Sequence, residues 1–516
     1  MAETTWDVVV VGAGVGGLAT ALRVAASGHS TLVVERHHRV GGKMAQAHPA
    51  GVGVDCGPTV LTMRDVFDDL FAAAGERLDE HVRLRQHELI ARHAWPDGSR
   101  LDLHGDIDRT AADIAAFAGS RDAQGYRRFC QHGAALLERL DPALLREPND
   151  GLFALTRRLG ASGMLRLSQV DWRRTLWEAL PEFFEDPRLR QLFARYATYC
   201  GSSPFAAPAT LSLIAEVERR GVWSLEGGMI ALADALARAI ERHGGRIALG
   251  EGVVELRASA GRVHTVTLSD GTTLRPRCVV FNGDPAALRD GSLGADVRHA
   301  VEAGPGPRSL SAMTWSMLAA PSGFELAYHN VFFSADYRSE FDALFERRQL
   351  PESPSVYVCA SDRWSTTPAG AERLFCLTNA PADPELGAET EPICRERMER
   401  SLRACGLELA VVATEHRSPR DFAARFPASA GALYGSATHG AMSAWRRVKA
   451  RTKLANLWLV GGTVHPGAGV PMAALSGTIA ARQVLADLRS TSGSRTAATA
   501  GGTSTASRPM KPARSR

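Results

Sequence analysis

A strand that runs straight into a glycine turn and leaves it as a helix restricts a chain to few folds, and residues 7–35 have that pattern. Val8-Val9-Val10-Val11 is a buried-type strand, and Gly12-Ala13-Gly14-Val15-Gly16-Gly17 fits G-x-G-x-x-G. Residues 18–26 carry helical apolar spacing, and residues 31–34 form a second strand that ends on Glu35. The unit is βαβ, the core of a parallel, doubly wound sheet. Gly12 permits the tight turn, Gly14 lets backbone amides approach a pyrophosphate, and Gly16 with Gly17 allows close helix packing, while the helix N-terminus stabilises negative charge. Glu35 is placed to accept ribose hydroxyls, and its charge disfavours a 2′-phosphate, which argues against NADP.

The next residues separate FAD from NAD. Glu35-Arg36-His37-His38-Arg39-Val40-Gly41-Gly42-Lys43 continues into a Gly-Gly-basic turn, the way two-dinucleotide-binding-domain flavoproteins bring a second loop to the FAD phosphates. Arg36, Gly42 and Lys43 therefore join the cofactor-binding candidates, with Lys43 as a phosphate counter-charge. A solvated lysine after a plain turn is the alternative.

The rest of the chain is large enough for more than one core. With 516 residues, 45% hydrophobic and 22% charged, it lies in the globular range. Two Asp-Gly turns, in residues 94–103 (AWPDGSRLDL) and 263–274 (VHTVTLSDGTTL), predict β-hairpins. The strand and helix signals group into a nucleotide-binding domain in three pieces, residues 1–106, 223–283 and 449–488. A second domain, residues 107–222 and 284–448, is inserted twice into it. Residues 489–516 are Ser, Thr, Ala, Gly, Arg and Pro with scarcely another apolar side chain, which predicts a disordered tail.

Several function classes lack their parts. The charge of +4 left by 60 basic and 56 acidic residues is too small over this length to mark a nucleic-acid binder. The eight cysteines are scattered without a C-x-x-C pair, so free thiols in a reducing cytosol are expected, with no metal site and no disulfide framework. There is no HExxH and no GxSxG. Residues 8–27 are apolar apart from Arg23, but Glu3 and Asp7 precede them and their glycines fall at phosphate-loop spacing. Neither an export signal nor a membrane span is expected there.

Residues 7–488 resemble the bacterial phytoene-desaturase-like carotenoid desaturases, relatives of the flavin amine oxidases. The likeness is strongest at the glycine fingerprint, at Val54-Asp55-Cys56-Gly57-Pro58-Thr59-Val60-Leu61-Thr62, and at residues 457–477 (LWLVGGTVHPGAGVPMAALSG). It implies an α/β, Rossmann-type two-dinucleotide-binding-domain flavoprotein with an interleaved α+β substrate domain and FAD as cofactor. By the same resemblance Gly461 and Gly462 approach the FAD ribityl and pyrophosphate, Met472 beside Pro471 lies at the flavin pyrimidine edge, and Val253 and Val254 meet the adenine. Pro58 and Thr59 come from the second matching stretch. Residues 57–70, 194–204, 329–341 and 355–363 are most similar to the 1-hydroxycarotenoid 3,4-desaturases, or methoxyneurosporene dehydrogenases.

That resemblance implies removal of a hydride and a proton across the C-3,4 bond of 1-hydroxy or 1-methoxy acyclic carotenoids such as hydroxyneurosporene. A polyene delocalises the developing allylic cation, so the cofactor does the hard step and few charged catalytic groups are expected. His329, Tyr199 and Arg363 are the candidates near the reacting end, each with a structural hydrogen-bonding role as its alternative. The sequence carries no motif for the terminal electron acceptor. A membrane-held substrate requires an approach surface, and residues 152–180 mix Leu, Phe, Met and Trp with Arg157, Arg158, Arg166, Arg173 and Arg174. This fits a helix in the headgroup region of the inner membrane, reached from the cytoplasm, or else core helices with solvated arginines. The competing readings are a phytoene desaturase, a carotenoid isomerase or oxygenase, a flavin amine oxidase, and a flavin-independent prenyl-lipid escort.

Overall fold

The run of valines at the start of the chain becomes strand Thr4–Val11, which lies at the centre of a seven-stranded sheet with Val8, Val9 and Val10 fully buried. A computed structural model describes residues 4–168, 170–302, 306–364, 368, 370–441, 443 and 446–499. The sheet order is Val253–Ser259, Arg262–Leu268, Thr273–Phe281, Thr4–Val11, Thr31–Glu35, Arg246–Leu249, and Leu457–Leu459 pairs with Thr273–Phe281. Thr4–Val11 pairs in parallel with both neighbours, as a strand fed by a crossover helix must. The strand buried on both faces reads as a continuous apolar run and not as an alternation.

Helix Val15–Ala25 packs between Ile230–Arg242 and Val470–Thr499 and is buried almost all round. Its approach to the second of these requires glycine. A Cβ on Gly477 would stand 2.1 Å from the Gly16 carbonyl oxygen, and Thr20 Oγ1 donates to both the Gly16 and Gly477 carbonyls at 2.9 and 3.1 Å. The sheet is therefore closed by residues from the far end of the chain.

The second sheet also has seven strands, in the order Glu408–Arg417, Ser311–Ser322, Glu372–Ala380, Val356–Ala360, His329–Phe332, Leu89–Ala94, Arg100–His104. All its pairings are antiparallel except His329–Phe332 with Leu89–Ala94. Both Asp-Gly turns form hairpins, with Gly98 and Gly271 at φ 83° and 85°. The first hairpin lies in this second sheet, although the sequence reading places residues 1–106 in the nucleotide-binding domain. Alternation predicts a half-buried strand but does not say which sheet it joins. Helices from Ile107–Ala118 to Leu213–Arg220 cover this sheet and form their own aromatic core around Phe129, Phe184, Phe193 and Tyr196.

Helix Val470–Thr499 continues past Leu488, where the sequence reading begins a disordered tail. Its buried side, Ala474, Ala481, Val484 and Leu488, anchors the helix, and propagation into adjoining small residues adds a backbone bond for each residue fixed. Residues 500–516 lie outside the described residues. All eight cysteines are free thiols.

Candidate cofactor and substrate site

A cavity of about 1170 Å³ runs from the glycine loop of the first sheet to the helices over the second. It exceeds the ~300–1,000 Å³ of a pocket for one small ligand. Gly12, Gly14, Gly16, Glu35, Arg36, Gly42, Lys43, Pro58, Thr59, Val253, Val254, Gly461, Gly462, Pro471 and Met472 all line it. Gly17 does not; it sits behind the loop, where a Cβ would stand 2.2 Å from the Gly12 carbonyl oxygen. Its role is packing.

At the glycine end the geometry is set by backbone. Gly12 has φ +99°, a conformation that favours glycine. Glu35 is 5% exposed, and its Oε2 and Oε1 accept from the backbone N–H groups of Ala13 and His37 at 2.7 and 2.9 Å. Two donors thus hold the carboxylate in one orientation, with acceptor capacity left for ribose hydroxyls. Asn282 follows strand Thr273–Phe281 and donates through Nδ2 to the Gly12 carbonyl at 3.1 Å. A Cβ on Gly14 would lie 2.8 Å from that Nδ2, and one on Gly461 would lie 2.7 Å from Asn282 Oδ1. Asn282 therefore fills the space between the loop and the closing segment, and no motif in the sequence announces it. The glycine cradle, the fixed carboxylate and the basic pair Arg36 and Lys43 fit a dinucleotide of the FAD type: Glu35 would hold the ribose and the glycines the pyrophosphate.

Lys43 points inward: its Nζ donates to the Leu433 carbonyl and lies 5.3 Å from the Phe426 ring. Burial pushes its ammonium down to about 8, with Asp284 acting the other way. Arg447 is a second basic group in the wall, buried, donating to the Gly462 carbonyl at 3.3 Å and Thr438 Oγ1 at 3.0 Å. Burial lowers its basicity.

At the other end the wall is made of side chains from distant segments. Thr59 Oγ1 is 2.7 Å from the Tyr357 hydroxyl, which is 2.7 Å from His329 Nδ1. Thr59 and Tyr357 face the cavity; His329 stands behind Tyr357. Burial first, then the nearby His87 and Arg195, hold the His329 imidazole well below its usual range, so it is neutral. Its Nε2 has no partner among the described residues. Tyr199 lines the cavity and belongs to a buried group with Arg195, Tyr196 and Glu218. Arg363 is not brought to the cavity. It pairs with the buried Glu372 at 2.7 Å and donates to the Leu326 carbonyl at 2.6 Å within the second sheet.

The cavity reaches the helical segment through Leu140, Leu144, Leu155 and Trp172. Leu152–Ser168 is kinked at Gly160, and its Phe153 and Leu165 are 84% and 64% exposed while Leu155 is buried. Arg157 and Arg158 are exposed beside them. Leu176 is in the core and Trp177 packs on Phe205, so these apolar side chains of residues 152–180 face inward, while Arg173 and Glu178 are exposed. The side chains of residues 152, 162 and 166–169 lie outside the described residues. Among the described residues no helix is long and apolar enough to cross a membrane.

Comparison with known proteins places this geometry. The chain is 47% identical to a hydroxyneurosporene desaturase of Rubrivivax gelatinosus, over 98% of each chain. It is 46% identical to one of Cereibacter sphaeroides, over 95% of this chain and 100% of the relative. A phytoene desaturase (lycopene-forming) of Pseudescherichia vulneris is 32% identical over 93% of this chain and 99% of its own. Among solved structures, a putrescine oxidase shares the fold at TM-score 0.60 and 15% identity, over 94% of this chain and 100% of the oxidase. A match to the family model over residues 15–485 completes the assignment: the chain belongs to the flavin containing amine oxidoreductase family.

Proposed function

We propose that this protein is an FAD-dependent carotenoid desaturase that removes a hydride and a proton across the C-3,4 bond of a 1-hydroxylated acyclic carotenoid such as hydroxyneurosporene. The observation that carries the reading is one largely apolar cavity that runs from a dinucleotide cradle to Leu155, on a helix whose Phe153 and Leu165 are exposed. The near full-length likeness to proteins named hydroxyneurosporene desaturase supports the substrate class. When bound, FAD supplies the hydride acceptor.

The chain's own residues exclude water, orient the polyene and take the proton. Val60, Leu211, Ile214, Val331 and Phe333 give the cavity walls no group that competes for an extended hydrocarbon. Hydride loss leaves an allylic cation whose neighbouring C–H is strongly acidic, so a weak base suffices. The Tyr357 oxygen accepts that proton while its own hydroxyl proton passes to Nδ1 of the neutral His329. Thr59 holds the Tyr357 hydroxyl in line.

The substrate enters from a membrane surface. Phe153 and Leu165 supply apolar contact and Arg157 and Arg158 the charge that faces headgroups. The protein thus works at the membrane without spanning it.

The test is conversion by the FAD-loaded protein with liposomes carrying 1-hydroxyneurosporene, neurosporene or phytoene, read by visible spectra and chromatography. A red-shifted product from the hydroxylated substrate supports the proposal. Conversion of phytoene in its place makes the protein an early-pathway desaturase. A flavin-free protein that extracts lipid points to an escort.

A further inference from the structure

The substrate half of the cavity is lined mainly by apolar side chains, and beside the polar groups around Tyr357 and Glu340 it carries a buried cluster around Arg195. Arg195 is 7% exposed and Glu218 is 3% exposed, and they pair at 3.2 Å through Nη2 and Oε2. The Tyr196 and Tyr199 hydroxyls both donate to Glu218, one to each carboxylate oxygen. Arg195 Nη1 donates to the Tyr199 oxygen at 3.0 Å. Arg195 and Tyr199 line the cavity; Tyr196 does not.

A proton count shows what this cluster lacks. The Tyr199 oxygen has one proton, already given to Glu218, and two lone pairs, one of which is taken by Arg195. One acceptor position remains. Arg195 Nε carries a proton and has no partner among the described residues, so one donor also remains. Burial first, and then Glu218, hold the Tyr199 phenol above its usual range even beside the guanidinium. An unsatisfied donor and an open acceptor, buried together in a hydrocarbon-lined wall, are costly unless a ligand uses them.

We infer that Tyr199 and Arg195 are the receptor for the substrate's terminal hydroxyl, which donates to the Tyr199 oxygen and accepts from Arg195 Nε. The inference rests on the desaturase reading above and adds the group that selects the substrate. A hydroxyl uses both open positions, a methyl ether only the donor, and a hydrocarbon end neither. The cluster also stands where the reaction needs it. Arg195 and Tyr199 line the same cavity as Thr59 and Tyr357. In a 1-hydroxy carotenoid only C-2 separates the hydroxyl-bearing carbon from the C-3,4 bond, so a receptor for one end of that unit must adjoin the group that takes the proton from the other.

The test measures kcat/KM of the full-length, FAD-loaded protein in liposomes for 1-hydroxyneurosporene, 1-methoxyneurosporene and neurosporene. The wild type is expected to prefer them in that order. Tyr199→Phe should lower kcat/KM for the hydroxylated substrate roughly 10- to 100-fold more than for neurosporene, so that the preference collapses. Tyr196→Phe loses an equivalent bond to Glu218 outside the cavity and should keep the preference, which separates recognition from upkeep of the cluster. Arg195→Lys keeps the charge but removes Nε, and should abolish the advantage of the methyl ether over the hydrocarbon.

An unchanged preference in a Tyr199→Phe protein that still binds flavin would overturn the inference and leave the desaturase reading standing. If Tyr199→Phe does not accumulate as a flavoprotein, the Arg195→Lys ratio decides. Wild-type protein that converts none of the three substrates removes the reading beneath it.

Discussion

The two ends of the cavity are built by opposite means. The nucleotide end is almost all backbone: glycines, a carboxylate pinned by two amides, and an asparagine that fills the space between the loop and residue 461. The carotenoid end is almost all side chain, with Thr59, Tyr199, Glu218, His329 and Tyr357 drawn from widely separated segments. The first recognises a ligand whose shape is fixed, so the chain can specify it through spacing along one stretch. The second recognises one polar group and one reacting bond on a featureless hydrocarbon, and only tertiary packing brings its parts together.

If that division holds, damage to one end should leave the other intact. The largest effect is expected from Gly17→Val, whose side chain meets the Gly12 carbonyl oxygen and cannot be relieved by a rotamer change. The variant should carry no flavin after gel filtration, as read by its visible absorbance. Flavin retained at wild-type occupancy would show that the loop is not the rigid element described above.

Tyr357→Phe removes the proton acceptor and should slow turnover on the order of 10²-fold at unchanged FAD affinity. A parallel loss of FAD affinity, seen by titration of the apoprotein, would erase the distinction between the two ends.

Smaller still is the effect of Phe153→Ser with Leu165→Ser, which should weaken liposome co-sedimentation by roughly 10- to 100-fold while the flavin spectrum stays the same. Unaltered sedimentation would separate this helix from the membrane.

His329→Gln removes the group that receives the Tyr357 proton and so should slow turnover as well; its smallest effect is on stability. His329 is held well below its ordinary 6.5 when folded, so unfolding takes up a proton at lower pH. Its contribution to stability is complete above about 6.5 and falls as pH drops below that, by about 1.4 kcal/mol per pH unit. The variant should show a shallower decline of melting temperature between pH 6.5 and 5 than the wild type. Identical slopes would mean that His329 binds protons alike in the folded and unfolded chain, so that burial does not keep its imidazole neutral.

The same contrast explains what could be read from the chain alone. The βαβ unit, Glu35 and the closing segment at residues 457–477 are local patterns, each readable from one contiguous stretch. Asn282 carries no such mark, because its importance comes from touching Gly12, Gly14 and Gly461 at once. The sequence offers His329 as a candidate by type alone, and only the fold places Tyr357 between it and the cavity. Arg363 shows the reverse: an arginine in a matching stretch whose charge is spent on Glu372. The hairpin Leu89–His104 was legible as a hairpin but not as part of the second sheet, since alternation records burial on one face and nothing about neighbours.

The contact between Gly16 and Gly477 has a consequence for biosynthesis. A ribosome that has released the chain as far as Ala455 has already made the glycine loop and Glu35. It has made neither strand Leu457–Leu459 nor the helix that presses on Gly16. The dinucleotide cradle is the earliest signature to emerge and among the last to become a site. The loop therefore reaches its final packing only once residues 457–499 are in place, so cofactor capture is expected late in folding.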